Sequence, residues 1–177
     1  MAEVLTDDER RRTMRRIRAL LVFFAAALIA SGLTAVPVEW ELRTLVSVFW
    51  GDAAPGTAWW PAMHAWIVQC RDTAADINHR TPYVFYGFDW LAFGVSVIGV
   101  LFLGALRDPV RNVWVVQYGL ICCGLVLVFS AIVPHLRGLP WFWMFVDGSF
   151  GVLGAIPLLV ILRDIRRLER ADAGTAS

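Results

Sequence analysis

Four apolar runs, each long enough to cross a bilayer as a helix, constrain this chain more than any other feature of its sequence. They cover residues 18–36, 83–106, 112–133 and 139–162. A helix of about 20 apolar residues spans the ~30 Å hydrocarbon core of a membrane. Pro37 and Pro134 follow two of the runs, and Pro82 and Pro140 stand at the start of the others, where proline is compatible with a helix boundary. The pattern predicts an all-α fold, a four-helix transmembrane bundle.

Composition agrees with a membrane protein. The hydrophobic fraction is 58% and the mean hydropathy is +0.61, whereas soluble domains have about 45–50% apolar residues. A chain of 177 residues is expected to form one domain, so residues 1–177 are predicted to be a single integral membrane domain. The net charge of +1 gives no general attraction to nucleic acid. The basic start followed by a long apolar run without a clear cleavage site predicts an uncleaved anchor.

Arginine is distributed unevenly between the segments that join the runs. Of the 16 arginines, 12 lie in residues 1–18, 107–112 and 163–177. Because basic residues favour the cytoplasmic side of a membrane, both termini are predicted to be cytoplasmic, with tails of residues 1–17 and 163–177. Eight of the nine tryptophans lie in or beside the segments of the opposite side, where indole rings favour the headgroup level.

The connection between the first two runs, residues 37–82, is much longer than two antiparallel helices need. Its first half has apolar residues at helical spacing, and its second half carries a longer stripe. These residues are Leu42, Leu45, Val46 and Phe49, then Trp60, Met63, Ile67, Cys70, Ala74 and Ile77. Residues 52–56 carry a turn signal. The pattern predicts a two-helix amphipathic extracytoplasmic cap, which either covers the end of the bundle or forms a lid over a lipid-accessible site.

Two carboxylates lie within the apolar runs, Asp89 in the second and Asp147 in the fourth. An ionisable group inside a span costs roughly 2.5–3.5 kcal/mol, so it suggests a function. Each acid is predicted to lie about 9–10 Å below the outer surface, because a helix rises 1.5 Å per residue. Facing each other they would form an acid–base pair, whereas pairing with arginine would make them structural. Ligand-binding or rim residues are predicted to be His64, Asn78, His79, Arg80, Trp90, His135 and Arg137.

Several membrane chemistries do not fit the sequence. Cys70, Cys122 and Cys123 form no C-x-x-C pair, which a thiol–quinone exchange would need. A haem-binding helix bundle needs histidine deep in its spans, and the histidines here lie outside them. They also lack the i, i+4 spacing of a metal site on one helix, and a site built from His64, His79 and aspartates is the weaker alternative. No cofactor and no metal are predicted.

The segments 86–93, 106–114 and 137–140 resemble a family of small four-span bacterial membrane proteins. The resemblance covers about residues 60–168, and it implies topology and a bacterial cytoplasmic (inner) membrane, with no established activity. The chain is also similar, in architecture only, to the sterol-isomerase and sigma-2-receptor-like membrane domain. That group often carries an acid in its first span, which residues 18–36 lack.

Three functions are compatible with the sequence. The first is an accessory or lipophilic-ligand-binding membrane protein with a polar site in the outer leaflet. The second is a membrane enzyme that acts on a lipid or isoprenoid-like substrate, with Asp89 and Asp147 as acid and base. The third is an oligomeric transporter or channel. Membrane lipids and a lipophilic ligand are the expected partners, and assembly as a homo-oligomer or a membrane complex is left open.

Overall fold

The computed structural model describes residues 5–51 and 58–175, and every regular element in this part of the chain is a helix. The helices are α1 (Asp7–Ala35), α2 (Val38–Phe49), α3 (Pro61–Arg80), α4 (Tyr83–Gly104), α5 (Val113–Leu136) and α6 (Trp141–Thr175). Four of them, α1, α4, α5 and α6, are long and apolar enough to cross a membrane. The predicted all-α fold with four such helices is confirmed, and the predicted turn at 52–56 lies outside the described residues.

Helix α1 begins at Asp7, well before the apolar run that starts near residue 18. The reason is a capping box at its start. The Thr6 amide donates to Glu9 Oε2 at 3.0 Å, and the Glu9 amide donates to Thr6 Oγ1 at 3.3 Å. These bonds satisfy amides that the first turn of a helix leaves without partners, so the polar segment is helical too.

The chain divides into two compact units, which are described separately. The hairpin unit consists of Met1–Ala27 with Gly99–Ser177, and the cap unit consists of Leu28–Ile98. In the hairpin unit α5 packs against α6. A Cβ on Gly151 would lie only 2.7 Å from the Cys123 carbonyl oxygen, so the two backbones approach closely there.

The first part of α1 packs against the last part of α6 in the hairpin unit. Ion pairs join Arg10 to Asp172 at 2.5 Å and Arg16 to Asp164. Arg10, the earlier residue of α1, pairs with the later residue of α6, and Arg16 pairs with the earlier one. The two segments therefore run antiparallel. The core of the unit consists of fully buried side chains from both segments, namely Ile17, Leu21, Leu158, Ile161 and Ile165.

The cap unit is built on the packing of α2 against α3. The predicted stripe of α3 is buried at Met63, Ile67 and Ala74, and α2 contributes the buried Val46. Pro61 occupies the first turn of α3, where its missing N–H is not needed. The two helices predicted between the first and second spans are therefore present, and the predicted stripe of α3 is packed at these positions, whereas on the predicted face of α2 only Val46 is buried and Phe49 is 54% exposed.

Candidate functional site

A cavity of about 440 Å³ lies in the cap unit, where the chain leaves α1, turns at Pro37 and enters α2. Residues of α2, α3 and α4 complete its wall. The lining residues are Val36, Pro37, Val38, Glu39, Trp40, Arg43, Asn78, Phe85 and Asp89. Apolar and aromatic side chains thus surround a small set of charged groups, which is the usual make-up of a binding site for a small molecule.

Glu39 is already engaged by two neighbours in the cavity wall. The Arg43 guanidinium donates to Glu39 Oε1 at 2.5 Å, one helical turn away on α2. The Asn78 side-chain amide of α3 donates to Glu39 Oε2 at 3.4 Å. The ion pair is partly exposed, since Arg43 is 63% and Glu39 28% accessible, so we expect it to contribute little to stability. Its main effect is that the Arg43 guanidinium, the positive group of the cavity lining, is already paired with a carboxylate.

Asp89 is half-buried on α4 and lines the same cavity. Within residues 5–51 and 58–175 its carboxylate makes no hydrogen bond or ion pair with another side chain. The wall therefore carries two carboxylates and one guanidinium, and the guanidinium is held by Glu39. Trp40 adds an indole that is 62% exposed. The cavity has an excess of negative charge beside an aromatic ring.

Known proteins offer no relative from which a function could be inferred. No family model, curated protein or solved structure matches the chain. Both resemblances noted in the sequence stay predictions.

Of the residues predicted to line the site in this unit, the structure brings Asp89 and Asn78 together at the cavity. His79 and Arg80 are exposed at the end of α3, and Arg80 pairs with Asp76 at 2.7 Å. Trp90 is 58% exposed and meets Phe93 edge to face, with ring centroids 5.8 Å apart. These three side chains lie outside the described cavity lining.

His64 was predicted at the rim and lies instead in the interior of the cap unit. It is 3% exposed, and its ring stacks on Trp50 at a centroid distance of 5.2 Å. Its position next to Met63 on the buried stripe of α3 explains this placement. Nearby, the Trp59 indole N–H donates to the carbonyl of Phe49, the last residue of α2, at 3.0 Å. This bond satisfies a carbonyl that the end of the helix leaves without a partner.

Asp147, His135 and Arg137 belong to the hairpin unit. Asp147 is half-buried on α6, whereas His135 and Arg137 are exposed where α5 ends. The turn between α5 and α6 contains Gly138 with a φ of +66°, a conformation that glycine adopts readily. The predicted acid–base pairing of Asp147 with Asp89 stays a prediction.

Sequence reasoning did not single out Glu39, Trp40 and Arg43 as site residues. They lie directly after Pro37, on the faces of α2 that the apolar pattern assigns to solvent. The i, i+4 spacing of Glu39 and Arg43 was the available signal, because opposite charges at this spacing meet on a helix. It predicts an ion pair, but not the cavity behind it.

Two other titratable groups of the cap unit are perturbed by burial. Burial raises the pKa of Glu41 above its ordinary value of 4.5, and it raises the pKa of the Cys70 thiol above 9.0. Cys70 is therefore protonated at neutral pH and a poor nucleophile. In the described part of the chain no three His, Cys, Asp or Glu side chains group as a metal site requires.

Proposed function

We propose that this chain is a multi-pass membrane protein that binds a lipophilic amine in the cavity around Asp89. The observation that carries the proposal is the Asp89 carboxylate in a cavity whose one guanidinium already pairs with Glu39. A partly buried carboxylate gains most from a positively charged partner. An ammonium group on the ligand supplies that charge and three hydrogen-bond donors.

The rest of the cavity wall suits the remainder of such a ligand. The exposed indole of Trp40 offers a face for a cation–π contact with the ammonium. Val36, Val38 and Phe85 provide apolar surface for the first carbons of the chain. A volume of about 440 Å³ holds a head group and a short stretch of hydrocarbon, within the roughly 300–1,000 Å³ typical of ligand sites.

The rest of the hydrocarbon chain would extend along apolar helix surface outside the cavity. In the cap unit, α4 exposes large apolar side chains on the turns around Asp89. They are Tyr83, Val84, Tyr86, Phe88, Leu91 and Phe93. Such surface is normal for a helix that contacts lipid and would accept an acyl chain equally well.

We also propose in which membrane the protein lies and how it is oriented there. The arginine-rich segments would face the cytoplasm, which accounts for 12 of the 16 arginines. The cap unit's α2 and α3 then lie on the opposite side, and the cavity opens at the outer headgroup level. The resemblance to small bacterial four-span proteins favours a bacterial inner membrane, where lipids with ammonium head groups are available as ligands.

Asp89→Asn tests the proposal. In a non-ionic detergent we expect wild-type protein to bind dodecylamine, and the variant to bind it about tenfold or more weakly, because a charge-assisted hydrogen bond contributes about 1.5–3 kcal/mol. Dodecanol, which has the same chain without the charge, should bind both proteins equally. The measurement is a titration followed by calorimetry or by the unfolding temperature.

Two further variants make this result specific to Asp89. Asp89→Glu keeps the charge and should restore much of the amine binding. Asp72→Asn removes an exposed carboxylate of α3 that lies outside the described lining and should change nothing. Equal affinity of wild type and Asp89→Asn for dodecylamine would refute an amine site at Asp89.

Acid–base catalysis on a lipid is the second candidate, and one observation favours it. Two carboxylates of the cap unit, Glu39 and Asp89, line one cavity, so one could donate a proton while the other accepts one. Native mass spectrometry of the complex separates the two candidates. A ligand recovered with unchanged mass supports binding, and a ligand recovered with an altered mass supports catalysis.

A further inference from the structure

A second cavity, in the hairpin unit, is lined by basic side chains and is used by none of the functions considered above. It has a volume of about 250 Å³ and lies between the first part of α1 and the last part of α6. Its lining residues are Glu9, Arg12, Thr13, Arg16 and Arg167. Arg12 and Thr13 on α1 each lie three or four residues from both Glu9 and Arg16, so these four side chains share one face of that helix.

The charges of this cavity favour an anion. Three guanidinium groups face one carboxylate, that of Glu9, and Arg12 and Arg167 both lie within electrostatic range of it. The Glu9 carboxylate also accepts hydrogen bonds from the Thr6 amide at 3.0 Å and the Thr6 hydroxyl at 2.9 Å. Arg16 pairs with Asp164 behind the cavity.

The hydroxyl of a largely buried threonine gives a second, independent indication of a ligand. Thr13 lines the cavity and is only 7% exposed. Within residues 5–51 and 58–175, its hydroxyl makes no hydrogen bond. The oxygen is not one of the fully buried polar atoms, and Thr13 lines the cavity, so the hydroxyl can be reached from the cavity and is suited to donate to a bound anion.

We infer that this cavity binds a phosphate group. Guanidinium groups bind phosphate oxygens in pairs, and several of them around one site match the two or three free oxygens of a phosphate better than a carboxylate. The volume is several times the ~30 Å³ of one water in the liquid, enough for a phosphate and the first atoms of its ester. Basic cavities at the ends of membrane helices bind lipid phosphates in this way.

The source of the phosphate is an anionic phospholipid head group or a soluble phosphate, and separate probes distinguish them. Phosphatidylglycerol tests the lipid, phosphatidylcholine tests a lipid phosphate whose charge is balanced, and inorganic phosphate tests the soluble anion. We expect phosphatidylglycerol or inorganic phosphate to raise the unfolding temperature of the purified full chain more than phosphatidylcholine does. The inference does not depend on the cavity in the cap unit, and dodecylamine binding is measured separately.

The paired variant Arg12→Gln with Arg167→Gln tests the site itself. We expect it to weaken binding of the effective probe by about tenfold or more. The matched control is Arg15→Gln with Arg163→Gln, which removes the same charge from the same two helices at exposed positions outside the described lining. The control should stay within about twofold of wild type, since only diffuse charge is lost.

Should the paired glutamine variant fail to fold, Arg12→Lys with Arg167→Lys and Thr13→Val take its place. Lysine keeps the charge but loses the bidentate geometry, and valine keeps the shape of threonine but removes its hydroxyl. Each should weaken binding severalfold. Two results would overturn the inference: equal weakening by the cavity variants and the exposed control, or no stabilisation of the wild type by either anionic probe.

Discussion

Replacing Arg16 by methionine is expected to lower the free energy of unfolding by about 1–2 kcal/mol, between the values for an exposed and a fully buried ion pair, because the Arg16 side chain is 57% exposed and only Asp164 is buried. Asp164 is 4% exposed, and the Arg16 Nε donates to its Oδ2 at 2.7 Å. A second bond joins Arg16 Nη2 to Asp164 Oδ1. Without the guanidinium the buried Asp164 carboxylate loses both of these hydrogen bonds. For a chain of this size the loss corresponds to about 2–8 °C in the unfolding temperature.

A double-mutant cycle isolates the contribution of the pair. Asp164→Leu alone should be less harmful than Arg16→Met, and the double variant should regain much of the loss, because it leaves no buried charge. Arg10→Met is the matched control: its ion pair with Asp172 is about half exposed and should contribute less than about 1 kcal/mol. Equal destabilisation by Arg16→Met and Arg10→Met would contradict this account.

Gly32→Ala is expected to destabilise the cap unit by about 2–3 kcal/mol, near the upper end for overpacking. An added Cβ would lie 2.2 Å from Ser96 Oγ and 2.5 Å from the Ala92 carbonyl oxygen. The Ser96 hydroxyl can rotate, but the carbonyl belongs to the backbone of α4 and cannot move alone. Helices α1 and α4 must therefore separate at this point. We expect the separation to shift Val36, which follows α1 and lines the cavity. The unfolding temperature and the proteolysis rate of the purified protein measure the effect.

Gly94→Ala on α4 provides the control for Gly32→Ala. No atom lies within 4 Å of the position that its Cβ would occupy. We expect little change or a small gain of stability, since alanine favours the helix more than glycine does. A Gly32→Ala variant as stable as Gly94→Ala would show that the helices do not approach as closely as described.

The helices could be predicted from the sequence because each one follows from a local pattern. Apolar length predicts α1, α4, α5 and α6, and the 3.6-residue stripe through Met63 and Ile67 predicts the packed face of α3. The early start of α1 at Asp7 follows from the Thr6–Glu9 capping box, which is also a local signal. Hydropathy alone does not show this early start, because the apolar run begins only near residue 18.

The candidate site could be predicted from the sequence only in part. Asp89 stands out because an acid inside an apolar run is rare, and Asn78 lies just before that run. Glu39 and Arg43 do not stand out, because charged residues on one face of an amphipathic helix are ordinary. Their contact with Asn78 joins residues 39 positions apart, which no local pattern encodes. The phosphate cavity likewise depends on Arg167 meeting a face of α1 far away in the sequence.

Photoaffinity labelling locates the bound lipophilic amine and so shows whether its site lies around Asp89. Membranes containing the protein are irradiated with a long-chain amine that carries a diazirine near its nitrogen, and the labelled peptides are sequenced. We predict labels within residues 36–43 and 78–89, removed by excess dodecylamine but not by dodecanol, and absent from Asp89→Asn. Labels spread evenly over all four long helices, or labels in 36–43 and 78–89 that persist in Asp89→Asn, would contradict the proposed site.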